Sequence, residues 1–122
     1  MKRVTGIGGI FFKARDRAAL AAWYQKHLGV PVTEHGFAVF EWKGPGMTVW
    51  NAFAHDTTYF APSDAPFMIN YRVEDLHALL AALRAEGVTV DDKVEESEFG
   101  KFGLVLDPED NRVELWEPPP EK

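Results

Sequence analysis

An internal repeat constrains the fold more than any other feature of this sequence. Residues 9–32, GIFFKARDRAALAAWYQKHLGVPV, align with residues 68–90, MINYRVEDLHALLAALRAEGVTV. In each copy an apolar-rich segment leads to an aspartate, Asp16 or Asp75, of the type that caps a helix N-terminus. A chain that carries the same pattern twice is expected to fold as two similar modules.

Each copy predicts one helix that follows a strand. Gly29 and Gly87 are placed to end these helices, because glycine readily adopts the left-handed conformation found just past a helix C-terminus. One face of each helix is apolar with the 3.6-residue period. The apolar faces consist of Leu20, Trp23, Tyr24 and Leu28 in the first copy and of Leu76, Leu79, Leu80 and Leu83 in the second.

Three more strands are predicted in each half. Turn sequences separate the last two of them, KGPG in the first half and DPEDN in the second. The predicted strands are 30–34, 37–42 and 47–54 in the first half and 88–94, 102–106 and 112–117 in the second.

Each half therefore reads βαβββ. The prediction is an α+β fold in which two tandem βαβββ modules form a curved mixed sheet around a cleft, with the helices on the outer face. The modules are residues 4–54 and 66–118, joined by a linker at 55–65 that contains prolines and lacks periodicity. The 122 residues are expected to form a single domain, 1–122.

Composition limits the partners of such a domain. The net charge is −6 and the sequence has no run of Lys or Arg, so neither a nucleic acid nor an anionic membrane surface is an expected partner. No stretch reaches the ~18–20 apolar residues of a membrane span. Cysteine is absent, which excludes disulfides and thiolate chemistry and is compatible with the cytoplasmic location that we expect.

Four segments resemble the vicinal-oxygen-chelate superfamily, which includes glyoxalase I, bleomycin-resistance proteins and extradiol dioxygenases. They are GIGGIFFKARD, WYQKHLGVPV, YRVEDLHALLAALRAEGV and LVLDPEDNRVELWEP, and the resemblance covers residues 4–118. The last segment is the most specific, since it matches the closing hairpin of the family. The resemblance implies a glyoxalase-like domain with a concave sheet as its binding site, and commonly a homodimer.

The resemblance also implies where a metal would bind. Metal-using members hold a divalent cation through side chains of the first and last strands of each module. In this chain Glu114 matches one of these positions, whereas the others fall on Gly9, on Met68 and on or beside Trp50. A Zn, Ni, Fe or Mn ion needs at least three good N or O donors, so we expect no metal cofactor. The alternative is a divalent metal held partly by Glu114, with His55 and Asp56 of the linker or a partner subunit completing the site.

Strand alternation predicts which residues face the cleft, because residues two apart share one side of a sheet. In the closing strand Arg112, Glu114 and Trp116 are expected on the cleft side and Val113 and Leu115 in the core. We expect Arg72 or Lys13 to neutralise Glu114. The predicted ligand-binding residues are Phe11, Lys13, Trp50, Met68, Asn70, Arg72 and Trp116, with Glu114 as the candidate catalytic residue.

Several functions fit this pattern. The first is a module that binds a small organic molecule in an aromatic and polar cleft. The second is an enzyme, a lyase or isomerase of glyoxalase type or a dioxygenase, in which Glu114 is one metal ligand. The third is a metal-independent enzyme that uses Glu114 as acid or base. A plainer alternative is a solvated sheet face whose tryptophans fill the cleft or a dimer interface.

Overall fold

The computed structural model describes residues 7–120, so residues 4–6 of the predicted first module lie outside the described residues. The fold is α+β, as predicted. Within residues 7–120 the longer helix has 12 residues, too few to cross a membrane. The elements are α1 (Arg17–Leu28), β1 (Ile69–Arg72), α2 (Leu76–Ala85), β2 (Glu95–Ser97), β3 (Gly100–Leu106) and β4 (Arg112–Glu117).

The predicted caps of both helices are confirmed. The Asp16 carboxylate accepts a hydrogen bond from the backbone N–H of Ala19, and the Asp75 carboxylate accepts one from Ala78. These bonds satisfy N–H groups that have no partner inside a helix. Past α1, Gly29 has a φ of 65°, in the left-handed region where a side chain would be strained.

The four strands form one mixed sheet in the order β1-β4-β3-β2. The central pair β3–β4 is antiparallel, while β1 runs parallel to β4 on its other side. Asn70 of β1 and Leu104 of β3 therefore flank Glu114 of β4. The second half of the chain thus has the element order βαβββ.

Both helices pack on one face of this sheet. Leucines of α2 cover β3 and β4, and α1 adds Leu20 and Tyr24 to the same core. The opposite face of the sheet carries no helix among the described residues, and we call it the open face. The core residues are Leu20, Tyr24, Leu76, Leu80, Leu83, Val105, Val113 and Leu115.

The first half of the chain departs from the prediction, because its predicted strands form no ladder within the described residues. The segments 30–34 and 37–42 meet in a single antiparallel bridge between Val32 and Ala38. The segments 9–14 and 47–54 have irregular backbone. A strand needs a hydrogen-bonded neighbour and a covered face, and neither is present here: the side chains of Trp42 and Trp50 are 88% and 81% exposed. The tandem arrangement of two modules stays a prediction.

The predicted strand at 88–94 is also shorter than expected. It contributes an isolated bridge between Val90 and Val105, and the regular pairing with β3 begins only at β2. Between the bridge and β2 the register shifts by two residues, since Val90 faces Val105 and Glu95 faces Phe102. This local break interrupts the ladder, so the segment 88–94 pairs with β3 only at the bridge, and the regular strand begins one residue past its predicted end.

Candidate functional site

Glu114 lies at the centre of the open face. Its neighbours along β4, Val113 and Leu115, are 1% and 0% exposed beneath the helices, so alternation turns the Glu114 side chain the other way. The predicted alternation in β4 is therefore confirmed. In β1 the same alternation leaves Asn70 and Arg72 exposed and turns Tyr71 toward the core.

Two neutral donors hold the Glu114 carboxylate. Asn70 Nδ2 donates to Oε1 at 2.7 Å, and Tyr59 Oη donates to Oε2 at 2.5 Å. The Asn70 contact follows from the parallel register of β1 and β4, which places the two residues side by side. Each carboxylate oxygen thus has one fixed donor, and such charge-assisted bonds are among the stronger ones in proteins.

The expectation that Arg72 or Lys13 neutralises Glu114 is wrong. No ion pair reaches this carboxylate from residues 7–120. The Arg72 guanidinium lies instead near Gly46, and Lys13 is exposed in an irregular segment. Hydrogen bonds from Tyr59 and Asn70 stabilise the carboxylate without adding a positive charge.

Tyr59 comes from the predicted linker, and sequence reasoning missed it. Its ring stacks against Phe53 with the centroids 5.9 Å apart, and Phe60 also packs against Phe53. Burial and the hydrogen bond to Glu114 raise the pKa of the Tyr59 hydroxyl above its usual range, so it stays protonated and remains a donor. The signal available in the sequence was the aromatic pair Tyr59–Phe60 in an otherwise polar, proline-containing segment.

Residues 59–62, which we call the strap, lie against the open face. Arg112 holds them there: its Nη1 donates to the carbonyl oxygen of Ala61, and its guanidinium lies 6.0 Å from the centre of the Tyr59 ring. Arg112 also forms an ion pair with Asp91 at 2.9 Å. Its buried Nε has no hydrogen-bond partner in the described part of the chain.

An open cavity of about 130 Å³ lies between the strap and the sheet. Pro62 of the strap, Asp91 and Arg112 line it together with apolar side chains of β3. Leu104 is only 8% exposed although it faces the open side, as expected for a residue at the bottom of this space. Glu114 does not line this cavity but adjoins it, because Leu104 is its cross-strand neighbour, and the cavity itself combines apolar side chains with Asp91 and Arg112.

Trp116 shares the open face but is held in place. Its indole Nε1 donates to the carbonyl oxygen of Phe99 at 2.9 Å. Its ring stacks on Phe102, its cross-strand neighbour, at 6.2 Å between centroids. Trp116 thus forms an ordered aromatic wall beyond Glu114.

The remaining predicted ligand-binding residues are not brought to Glu114. Phe11 and Trp50 are 94% and 81% exposed, and Lys13 lies in the same irregular N-terminal segment as Phe11. Met68 is half-buried and lines a small crevice beside Tyr24. The roles of these residues stay predictions.

The donor set around Glu114 does not fit a Zn, Ni, Fe or Mn ion. Such an ion needs at least three good N, O or S donors in a protein site. Across residues 7–120 no three His, Cys, Asp or Glu side chains gather closely enough. His55 and Asp56 are exposed, and the oxygens of Glu114 already accept from Tyr59 and Asn70.

Comparison with known proteins agrees with this architecture. A family model described as a glyoxalase-like domain matches residues 9–116. The glyoxylase/bleomycin resistance protein/dioxygenase domain from Frankia sp. EAN1pec superposes with a TM-score of 0.61 at 16% identity, covering 96% of this chain and 100% of that one. TnmS3, an antibiotic binding protein from Streptomyces sp. CB03234, gives a TM-score of 0.51 at 17% identity, with coverages of 85% and 88%. At these identities the likeness shows the fold.

A partial match extends to the glyoxalase family protein from Enterococcus faecalis. It has 21% identity and a TM-score of 0.40, and it covers 53% of this chain. The matched part spans about half of that protein, 52% of its chain. None of the curated proteins matches the sequence.

Proposed function

The chain belongs to the glyoxalase-like domain family, and we propose that it binds a small organic molecule on the open face of its sheet, beside Glu114. The observation that carries this proposal is the Glu114 carboxylate itself. It is half-buried, fixed by two neutral donors and paired with no cation among the described residues. A carboxylate held in this way can orient a ligand that donates a hydrogen bond.

The surroundings of Glu114 support an aromatic or otherwise flat ligand. Phe53, Tyr59 and Phe60 form an aromatic group on one side, and Trp116 stands on the other end of the same face. Binding sites for small molecules combine apolar walls with a small number of placed polar groups. TnmS3, whose fold is similar, is an antibiotic binding protein, and this supports an organic ligand for the present chain.

We propose that binding at this site requires no metal. The reason is the donor set described above: within residues 7–120, Tyr59 and Asn70 donate to one carboxylate, that of Glu114. A metal-dependent enzyme of glyoxalase or dioxygenase type would need at least two further N or O donors beside Glu114, and residues 7–120 bring no such group together.

We also propose that the protein is a homodimer. The support is the set of large apolar side chains that stay exposed in residues 37–53, Trp42 and Trp50 foremost. Exposed apolar patches of this kind are typical of interaction surfaces.

Thermal melting tests the proposed function. Chelator-treated protein is melted with a series of flat aromatic compounds and, separately, with Ni²⁺, Zn²⁺, Fe²⁺, Mn²⁺ and Co²⁺. A ligand at 100 times its Kd should add about 2.7 kcal/mol of stability, which raises Tm by several degrees. We expect such shifts for aromatic compounds, a smaller shift in Glu114→Gln, and none for the metals.

Glu74→Gln is the matched control, because it removes the same charge from an exposed position outside the sheet and outside residues 37–53. It should respond like the native protein. A metal that raises Tm in the native protein and in Glu74→Gln but not in Glu114→Gln would overturn the proposal in favour of a metal-dependent enzyme.

A further inference from the structure

The strap reaches Glu114 in a different way from Asn70. Asn70 lies on β1, whose backbone pairs with β4 and fixes its position. Tyr59 lies in turns, and the backbone hydrogen bonds of residues 54–63 stay within that segment, from Thr57 to Ala54, from Ala61 to Thr58 and from Ser63 to Phe60. One partner of Glu114 is thus part of the sheet, and the other is delivered by a separate loop.

Among the described residues, no backbone–backbone hydrogen bond joins the strap to the sheet. The Tyr59 hydroxyl donates to Glu114, and the Arg112 guanidinium donates to the Ala61 carbonyl oxygen and lies near the Tyr59 ring. Contacts of this kind can open without breaking a backbone ladder, and segments held in this way belong to the less stable parts of a fold.

We propose that Tyr59 is a built-in occupant of the ligand site, and that the ligand which replaces it carries a hydroxyl group on an aromatic ring. The inference rests on the proposed function, since it names the chemical class of the ligand for that site. Glu114 accepts hydrogen bonds and donates none, so whatever replaces Tyr59 must bring a donor. Asn70 keeps its own oxygen of the carboxylate and stays in place.

The ring of Tyr59 defines the rest of the ligand. It stacks on Phe53 on one side and has the Arg112 guanidinium near its face. An aromatic ring satisfies both neighbours, through stacking and through attraction between a cation and a π-system. A hydroxyaryl compound reproduces the hydroxyl and the ring together.

The charges near Tyr59 disfavour an aryl carboxylate. Glu114 is unneutralised, and Glu95 stands on the same face opposite Phe102. Arg112 is already paired with Asp91. A second carboxylate would meet like charges and could donate nothing to Glu114.

Two probes of nearly equal shape test this inference. 2-Naphthol can donate from its hydroxyl, whereas 2-methoxynaphthalene cannot, and the fluorescence of each reports its binding. We expect the native protein to prefer 2-naphthol. Tyr59→Phe removes the competing hydroxyl but keeps the stacked ring, and it should bind 2-naphthol about tenfold more tightly, the equivalent of about 1.4 kcal/mol.

The same substitution should raise the affinity for 2-methoxynaphthalene by a similar factor, since either probe must displace Tyr59, and the preference for 2-naphthol should therefore remain. Glu114→Leu, which has no acceptor atom, should remove the preference between the probes. Tyr71→Phe serves as the control, because it deletes a hydroxyl on the helix side of the same sheet. It should bind both probes like the native protein.

Three outcomes would overturn the inference. Equal affinity for the two probes in all variants would leave aromatic binding intact but refute the hydroxyl preference. A weaker affinity for 2-naphthol in Tyr59→Phe would make Tyr59 a ligand contact rather than an occupant. Binding of neither probe to any variant would refute the inference and the proposed function together.

Discussion

Asp107 is a carboxylate inside the protein, only 4% exposed, and it is fully bonded there. It accepts from the Tyr24 hydroxyl at 2.8 Å, from the side chain and backbone of Asn111, and from the backbone N–H of Glu109. Burial and the Asp107 carboxylate raise the pKa of Tyr24 far above its usual range. A buried charge is tolerated when its hydrogen bonds are satisfied, so the aspartate of the DPEDN turn has a structural role.

Removing one of these donors should weaken the fold. Tyr24→Phe leaves an oxygen of Asp107 buried with one partner fewer, and we expect a loss of about 1–3 kcal/mol in the free energy of unfolding. Chemical denaturation measures it. Tyr71→Phe deletes a hydroxyl in the same core cluster, for which residues 7–120 provide no hydrogen-bond partner, and it should change stability by less than about 0.5 kcal/mol. Equal losses in the two variants would contradict the role given to Asp107.

At the scale of elements, the DPEDN turn also holds the start of α1. The Glu109 carboxylate accepts from the backbone N–H groups of Arg15 and Asp16 at 2.7 and 2.9 Å. Together with Tyr24 on Asp107, these bonds fasten the helix of the first half to the closing hairpin of the second. The negative charge also lies at the positive end of the helix dipole, which is favourable.

Glu109 makes this attachment sensitive to pH. The two backbone hydrogen bonds, and to a smaller extent Arg15, lower the pKa of Glu109 below its ordinary value of 4.5. A lowered pKa contributes stability above pH 4.5, and that contribution is lost as the pH falls through the pKa of the folded state. Glu109→Gln should therefore lower Tm at pH 7 but have less effect at acid pH. Thermal melting of both proteins at pH 7 and at acid pH checks this prediction. An equal fall in Tm at the two pH values would contradict it.

Much of the second half follows from sequence periodicity. The regularly spaced leucines of α2 and the alternate residues of β4 are buried on one face of their element, as the sequence pattern predicts. The first half carries similar alternation at 37–42, but a pattern specifies a strand only where a neighbour supplies hydrogen bonds. Tyr59 could not be placed either, because its contact with Glu114 joins residues 55 apart through an irregular loop.

At the scale of the whole molecule, large apolar side chains stay exposed to water in residues 37–53. Val39, Phe40, Trp42, Val49 and Trp50 are each more than 60% exposed. Contact between water and this much apolar surface is unfavourable, and association with another protein chain would bury that surface. A second copy of the chain carries the same surface and can cover it symmetrically.

We expect sedimentation analysis at micromolar concentration to show a dimer. Trp42→Lys combined with Trp50→Lys should weaken it by at least about tenfold in Kd, since buried tryptophans carry much of the energy of an interface. Gln25→Lys, on an exposed position of α1, is the control for added positive charge and should dimerise normally. A monomer at every concentration would contradict the proposal.

The bonds from the DPEDN turn to α1 have a consequence for the order of synthesis. The Tyr24 hydroxyl bonds to a residue 83 positions later in the chain, and the backbone N–H of Asp16, the N-cap of α1, bonds to one 93 positions later. While the ribosome is still making residues 30 to 100, α1 can form but has no place to dock. We therefore expect its apolar face to stay uncovered until residues 107–117 have been made, and the domain to close only then.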